Sequence, residues 1–127
     1  MFKRIDHVEI VPNDLEKTLN FYTQILGFKI KERRKVERPP MQELVFIELN
    51  DSMIEMISVK DPPPSPADPW HVSYRRIALE VEDMDKAIEY LKGKGVNISR
   101  EPSTLATSKR AEIDDPDGLS IELRQWL

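Results

Sequence analysis

Hydrophobic and polar residues alternate along the chain with two different spacings, and each change of spacing marks a new element. The first segment, Ile5 to Val11, alternates at every second residue and predicts a strand that Pro12 ends. Apolar residues at helical spacing then predict a helix over Leu15 to Leu26, capped by Asp14 and closed by Gly27. Three further strands are expected in this half of the chain: Phe28 to Val36, Gln42 to Leu49 and Met53 to Val59.

Prolines separate this half of the chain from the next. Helix and sheet both need backbone N–H groups that proline lacks, so the proline-rich stretch Asp61 to Trp70 is expected to be an extended linker. Beyond it, Arg75 to Val81 predicts a strand, and Asp83 is expected to cap a helix over Met84 to Lys92. The remaining expected elements are strands over Val96 to Ser99, Leu105 to Ile113 and Leu119 to Leu123, a loop around Pro102 and a turn over Asp115 to Gly118.

The two halves of the chain repeat one pattern. A shift of 69 residues places the first half on the second, so that the cap Asp14 falls on Asp83 and the helix faces coincide. The hairpins at the far ends also match, at a slightly different offset. The residues that recur at equivalent places and carry chemical groups are His7, Glu55, Arg76 and Glu122.

Each half is expected to form one βαβββ module, so the predicted fold class is α+β. A sheet covered by a single helix leaves one face open, and two such modules are expected to form a cupped mixed sheet around a cleft. The 127 residues are then one domain. Its first module covers about residues 1–60, its linker about 61–73 and its second module about 74–127.

The composition excludes several classes of function. The net charge of −4 and the mixed signs argue against nucleic-acid binding, which needs a basic face. The absence of cysteine rules out disulfides, thiolate nucleophiles and cysteine metal sites. No apolar run is long enough to span a membrane, and the first residues lack the apolar core of a signal peptide, so we expect a cytoplasmic protein without a membrane partner.

Several of these motifs resemble one known family. The opening Asp6 to Ile10 followed by Asp14 to Lys17, the strand Ile77 to Val81, and above all Asp115 to Leu123 are similar to the vicinal-oxygen-chelate proteins, the superfamily of glyoxalases, bleomycin-resistance proteins and dioxygenases. The resemblance covers nearly the whole chain. It implies the paired-module fold, a small-molecule ligand and a homodimer.

The resemblance also implies a metal site. In metal-dependent members of that family, the first and last strands of each module provide the ligands, which correspond to His7, Glu55 and Glu122 here. Glu55 and Glu122 are then also the candidate catalytic carboxylates. Imidazole and carboxylate together suit divalent Zn, Ni, Mn or Fe. The fourth position, usually histidine, is Arg76.

Arg76 leaves two hypotheses open. A guanidinium has no lone pair for a cation, but it can bind carboxylates through two parallel hydrogen bonds. In the first hypothesis Arg76 replaces the charge of the metal and the pocket is metal-free. In the second it swings aside and leaves His7, Glu55 and Glu122 as a triad of one histidine and two carboxylates.

Two classes of function follow from these hypotheses. One is a metal-dependent lyase, isomerase or dioxygenase acting on a small vicinal-oxygen substrate such as a lactoylglutathione-type compound. The other is a metal-free binding protein of the bleomycin-resistance type. In either case Arg76, His71 and Trp70 are the candidate substrate-binding residues, while Glu9 and Glu48 share the polar strand positions and rank lower.

Overall fold

Two compact units make up the chain, which the computed structural model describes over all of residues 1–127. They are Met1–Ser65 and Pro66–Leu127, and each holds one four-stranded mixed sheet and one α-helix. The first unit contains β1 (Val8–Ile10), α1 (Leu15–Asn20), β2 (Lys29–Arg38), β3 (Met41–Leu49) and β4 (Ser52–Val59). The second contains β5 (Ile77–Glu80), α2 (Met84–Gly93), β6 (Ile98–Thr104), β7 (Ser108–Asp114) and β8 (Ser120–Trp126). The predicted α+β fold with two βαβββ modules is confirmed.

The two sheets have the same topology. The strand order is β1-β4-β3-β2 in the first module and β5-β8-β7-β6 in the second. The first strand of each module runs parallel to the last, and the other neighbours are antiparallel. The first and last strands of each module therefore lie side by side, which brings together residues that are distant in sequence.

Alternation along the strands divides each sheet into a core face and an open face. The core faces carry apolar side chains that are almost fully buried, and helix residues add to the same cores. In the first module these residues include Leu19, Tyr22, Val45, Ile47, Ile54 and Met56. In the second they include Met84, Ile88, Leu91, Ala111, Ile113, Ile121 and Leu123. The open faces carry the polar residues between them.

The ends of the first helix follow the sequence signals, but its last turn does not. The carboxylate of Asp14 accepts a hydrogen bond from Lys17 N at 3.1 Å, and Gly27 closes the helix in the left-handed region with φ of 89°. Between them, Phe21–Ile25 forms a π-helical turn in which Leu26 N donates to Phe21 O at 3.1 Å. The Thr23 hydroxyl donates to the Leu19 carbonyl at 2.7 Å, an interaction that opens the regular helical ladder.

The loop predicted around Pro102 was wrong, because β6 runs through that position to Thr104. A proline has no N–H for a ladder, but β6 is an edge strand whose register shifts on either side of Arg100. The chain turns later, where Leu105 N donates to Ser108 O at 2.7 Å, so β7 begins at Ser108 and not at Leu105.

The first strand is shorter than predicted. Alternation indicated a strand over Ile5 to Val11, but only Val8–Ile10 pairs with β4. β1 is an edge strand with a single neighbour, so its length is set by that neighbour rather than by its own pattern. No helix of the structure has the length and apolar character needed to cross a membrane.

Candidate functional site

The open face of the first sheet places a histidine beside two carboxylates. Glu9 in β1 lies directly opposite Glu55 in β4, and paired residues of parallel strands point to the same side of a sheet. His7 precedes Glu9 by two residues, and its Nε2 atom reaches this face. One donor atom from each of the three side chains lies within 4.8 Å of the other two.

The orientation of His7 directs one ring nitrogen toward these carboxylates. Its Nδ1 lies 2.8 Å from Asp6 Oδ2, and an ionised carboxylate can only accept, so Nδ1 carries the proton. In the neutral ring, Nε2 then presents a lone pair. It lies 3.7 Å from Glu55 Oε1 and 3.9 Å from Glu9 Oε2, too far for hydrogen bonds.

Glu55 is the buried member of this group. The residue is only 8% exposed, and its carboxylate accepts no hydrogen bond. Burial raises the pKa of Glu55, and the charge of Glu9 raises it further, while His7 acts in the opposite direction. The pKa of His7 is also raised, chiefly because Asp6 accepts its hydrogen bond, and Glu55 contributes to the shift.

An arginine occupies the equivalent place in the second module. Arg76 Nη2 donates to Glu122 Oε1 at 3.1 Å, and Arg76 Nη1 lies 2.9 Å from Glu112 Oε1. The other oxygen of Glu122 accepts from Arg124 Nε and Nη2 at 3.1 and 2.9 Å. Both oxygens of Glu122 are therefore held by guanidinium groups, and the side chain of Arg76 is only 13% exposed.

Glu112 explains how the second module accommodates an arginine. Strand register puts Phe46 opposite Glu55 in the first module and Glu112 opposite Glu122 in the second, so Glu112 takes the place of Phe46. Phe46 packs edge-to-face on the ring of His7, with ring centroids 5.4 Å apart. In the first module the imidazole of His7 therefore packs on an aromatic ring. In the second module the guanidinium of Arg76 instead contacts a second carboxylate.

Glu9 marks the other difference between the modules. In the first module it lies opposite Glu55, whereas in the second Ala78 lies opposite Glu122. The first module therefore has two carboxylates beside a histidine and an excess of negative charge. In the second, Glu112 and Glu122 contact three arginines, Arg76, Arg100 and Arg124, so the negative charge is compensated.

Comparison with known proteins identifies the family of this chain. The family model described as the Glyoxalase/Bleomycin resistance protein/Dioxygenase superfamily matches residues 4–123. The chain belongs to this superfamily. Its members bind small-molecule substrates and commonly form dimers, and divalent metals are typical of them.

Relatives within the superfamily cover nearly the full chain. The protein YwkD of Bacillus subtilis is 35% identical over 126 residues, with 97% of each chain covered. A lactoylglutathione lyase of Neisseria meningitidis serogroup A is 33% identical over 130 residues, covering 96% of this chain and 90% of the lyase. The solved structure of a glyoxalase family protein from Enterococcus faecalis has a TM-score of 0.85 and 27% identity, over 97% of this chain and 98% of that one.

The side chains of the first module are better suited to bind a divalent metal than those of the second. Two donors that each lie about 2.1 Å from one ion are about 3 to 4 Å apart, and the His7–Glu55 and His7–Glu9 distances fall in that range. A carboxylate that accepts the other N–H of a metal-binding histidine is also a usual outer partner, and Asp6 occupies that position. In the second module Arg76 offers no lone pair, and Glu122 is engaged by two arginines.

Four of the sequence-predicted site residues thus form two groups, one in each module. His7 and Glu55 lie together in the first, and Arg76 and Glu122 lie together in the second. Arg76 contacts Glu122 and also Glu112, while its replacement of a metal's charge in a metal-free pocket stays a prediction.

Two further residues belong to these groups: Glu9, which the sequence pattern placed below Glu55 and Glu122, and Glu112, which it did not indicate. Glu9 could have been found from its place two residues after His7 on one strand face. Glu112 could have been found from the hairpin turn, since the pairing of Asp114 with Ser120 places Glu112 opposite Glu122.

The two linker residues proposed for substrate binding are exposed in the second unit. The guanidinium of Arg75 lies 4.1 Å from the centre of the Trp70 ring, and Trp70 is 76% exposed. His71 Nδ1 lies 2.6 Å from the Asp68 carbonyl oxygen, which can only accept, so Nδ1 carries the proton. Their role in substrate binding stays a prediction.

Replacement of Glu112 by glutamine should weaken the fold in a pH-dependent way. Burial acts to raise the pKa of Glu112, but the hydrogen bond and charge of Arg76 outweigh it and leave the pKa below its ordinary value. The ionised carboxylate therefore stabilises the folded state above the pKa of the unfolded chain, and this contribution is lost as the pH falls through the folded-state pKa. We expect Glu112→Gln to cost about 2 kcal/mol at pH 7 and progressively less below about pH 4.3, measured by urea denaturation. A cost that does not change with pH would contradict the ionic origin.

Proposed function

We propose that this protein is a metal-dependent lyase or isomerase of the glyoxalase type. The observation that carries the proposal is the lone pair of His7 Nε2 directed toward the buried, hydrogen-bond-free carboxylate of Glu55. His7 and Glu55 would hold a divalent ion, with Zn, Ni, Mn and Fe all compatible with these donors. The names of several relatives, which are lactoylglutathione lyases at 31–33% identity, support the same reaction class.

The bound ion would supply a Lewis acid that draws electron density from a substrate carbonyl. Glu55 would carry the carbon-bound proton of a hemithioacetal from its hydroxyl-bearing carbon to the adjacent carbonyl carbon, and the product would be a lactoylglutathione-type thioester. Its Oε1 faces His7, and its other oxygen accepts no hydrogen bond. That oxygen can take the proton from the first carbon and return it to the second, while the hydroxyl proton on the first carbon's oxygen passes to the oxygen of the second carbon, so the isomerisation balances without another reactant.

Glu122 is less suited to this step than Glu55. Its two oxygens accept hydrogen bonds from Arg76 and Arg124, and a proton transfer would have to break these contacts. We propose that Arg76, held in place by Glu122, binds substrate, and that Trp70 and His71 are further substrate-binding residues. The proposal includes a homodimer, since both sheets have edge strands that a partner can cover. It also includes a location in the cytoplasm.

A second candidate function is metal-free binding of a small molecule, as in bleomycin-resistance proteins. Arg76 favours it, because it stands at the usual position of a histidine ligand and is held there by Glu112 and Glu122. In this case the cation of Arg76 replaces the charge of the metal and no turnover is expected.

Metal content and turnover together test the proposed function. Protein purified without a tag or chelator and incubated with Ni, Zn, Mn or Fe(II) is expected to hold about one ion per chain, by elemental analysis. His7→Ala and Glu55→Gln should lose the ion and, with it, turnover of the hemithioacetal of methylglyoxal and glutathione. Catechols and acyl-CoA epimers are the alternative substrates.

The control is Glu48→Gln, which removes a carboxylate from the same sheet face without touching His7 or Glu55, and which should keep both metal and turnover. An absence of metal under every condition would contradict the proposal and favour the binding protein.

A further inference from the structure

The first module contains a third possible metal ligand, Glu9, which the sequence pattern indicated less strongly than Glu55 and Glu122. We propose that Glu9, together with His7 and Glu55, forms a complete three-ligand site for a divalent cation inside the first module. This inference rests on the proposed function and changes its ligand set, because it assigns the third position to Glu9 instead of Glu122. Three protein ligands are the usual number in catalytic metal sites, which keep further positions open for substrate.

The burial of Glu55 points to a cation at this place. The Glu55 side chain is only 11% exposed, and a carboxylate in such a place needs a nearby cation or hydrogen-bond donor. The His7 ring is beside it, but Nε2 lies 3.7 Å from Oε1, outside hydrogen-bond distance, and Glu55 lies directly opposite a second carboxylate on the neighbouring strand. A divalent ion between Glu55, Glu9 and His7 would remove both the repulsion and the missing contact.

The ring of His7 is already oriented to bind such an ion. Asp6 holds the proton of Nδ1, so the lone pair of Nε2 points into the space that the two carboxylates border. Phe46 packs against the ring and restricts its rotation. A purely structural role for His7 does not explain why its tautomer is fixed by Asp6. It also does not explain why Nε2 faces two carboxylates without forming a hydrogen bond to either.

The competition between Glu9 and Glu122 favours Glu9. Both oxygens of Glu122 already accept hydrogen bonds from Arg76 and Arg124, and the Arg76 side chain, only 13% exposed, would lose a partner if Glu122 bound an ion instead. Glu9 makes no hydrogen bond, its side chain is 58% exposed, and its Oε2 already lies 3.9 Å from His7 Nε2. Its movement toward an ion beside His7 therefore breaks no hydrogen bond, and its exposure leaves the site accessible.

Calorimetric titration of the metal-free full chain with Mn²⁺, Ni²⁺ and Zn²⁺ tests this inference without any substrate. We expect Glu9→Gln to weaken the affinity by at least about tenfold, because even outer partners of metal ligands contribute that much. Glu48→Gln is the matched control, since it removes the same charge from the same face, and it should change the affinity by less than about twofold. Glu9→His should retain tight binding, because imidazole is also a donor.

Three results would overturn the ligand assignment. Equal losses in Glu9→Gln and Glu48→Gln would show only a general effect of charge. Unchanged affinity in Glu9→Gln would remove Glu9 from the site. A loss in Glu122→Gln, but not in Glu9→Gln, would assign the third position to Glu122 and leave the proposed function intact. By contrast, no binding of any ion by the unaltered chain, or binding that His7→Ala does not change, would refute the proposed function itself.

Discussion

Replacement of Arg76 by leucine is expected to lower the free energy of unfolding by about 3 kcal/mol, since removing one partner of a buried ion pair leaves an uncompensated charge. Arg76 is the shared partner of Glu112 and Glu122, which lie directly opposite each other on neighbouring strands. Without it, Glu122 keeps its contact with Arg124, but Glu112 keeps only the longer contact with Arg100 at 3.9 Å. Like charges in that position repel. Chemical denaturation at pH 7 measures the loss, and lowering the pH should reduce it as the carboxylate of Glu112 becomes protonated.

Arg100→Leu is the matched control for this prediction. Arg100 lies 3.9 Å from the same Glu112 oxygen, but its side chain is 53% exposed, so its removal should cost less than about 1 kcal/mol. A second test adds Glu112→Phe to Arg76→Leu, which places a phenylalanine where the first module has Phe46. It removes one of the two carboxylates that lost Arg76, and it should recover part of the stability. Equal costs for Arg76→Leu and Arg100→Leu would mean that the carboxylates relax into water and that Arg76 is not a structural cation.

Replacement of Arg76 by histidine is expected to create a divalent metal site in the second module. The substitution exchanges a group without a lone pair for a donor, and it frees one oxygen of Glu122 and the carboxylate of Glu112. The second module would then have the same combination of one histidine and two carboxylates as the first. We expect an affinity for Ni²⁺ or Zn²⁺ at least about a hundredfold above that of the parent, a change of about 2.7 kcal/mol in binding free energy.

The new site must be separated from the one proposed in the first module. Titration calorimetry is therefore carried out in a His7→Ala background, with His7→Ala alone as the parent. Arg76→Gln is the matched variant, because it also removes the charge but supplies no imidazole, and it should gain much less affinity. If Arg76→His bound no metal while remaining folded, Glu112 and Glu122 could not act as ligands, and the correspondence between the two modules would not extend to their chemistry.

The local signals in the sequence predicted most of the fold. The caps are found where the pattern placed them: Asp14 accepts from Lys17 N and Asp83 from Lys86 N, each at 3.1 Å. The Asp115 carboxylate accepts from Asp117 N and Leu119 N and thereby fixes the predicted turn before β8. These interactions join residues no more than four apart, so the residue types alone are sufficient to specify them.

Strand boundaries depended on neighbours that the sequence pattern does not reveal. β1 is short because only three of its residues pair with β4, and β6 continues through Pro102 because it lies at an edge of its sheet. Each outcome depends on which strand lies alongside, and alternation within one strand carries no information about that.

Sequence and structure also contributed different parts of the candidate site. The repeat by itself was sufficient to single out His7, Glu55, Arg76 and Glu122, because a twofold pattern identifies equivalent positions. The partners of those residues were decided by register: parallel pairing put Glu9 beside Glu55, and the β7–β8 hairpin put Glu112 beside Glu122. Sequence thus determined which chemical groups are present and which strands carry them. Tertiary structure alone decided that Arg76 is held by two carboxylates while His7 faces two others, because charge interactions act across strands and depend on distances that only the folded sheet establishes.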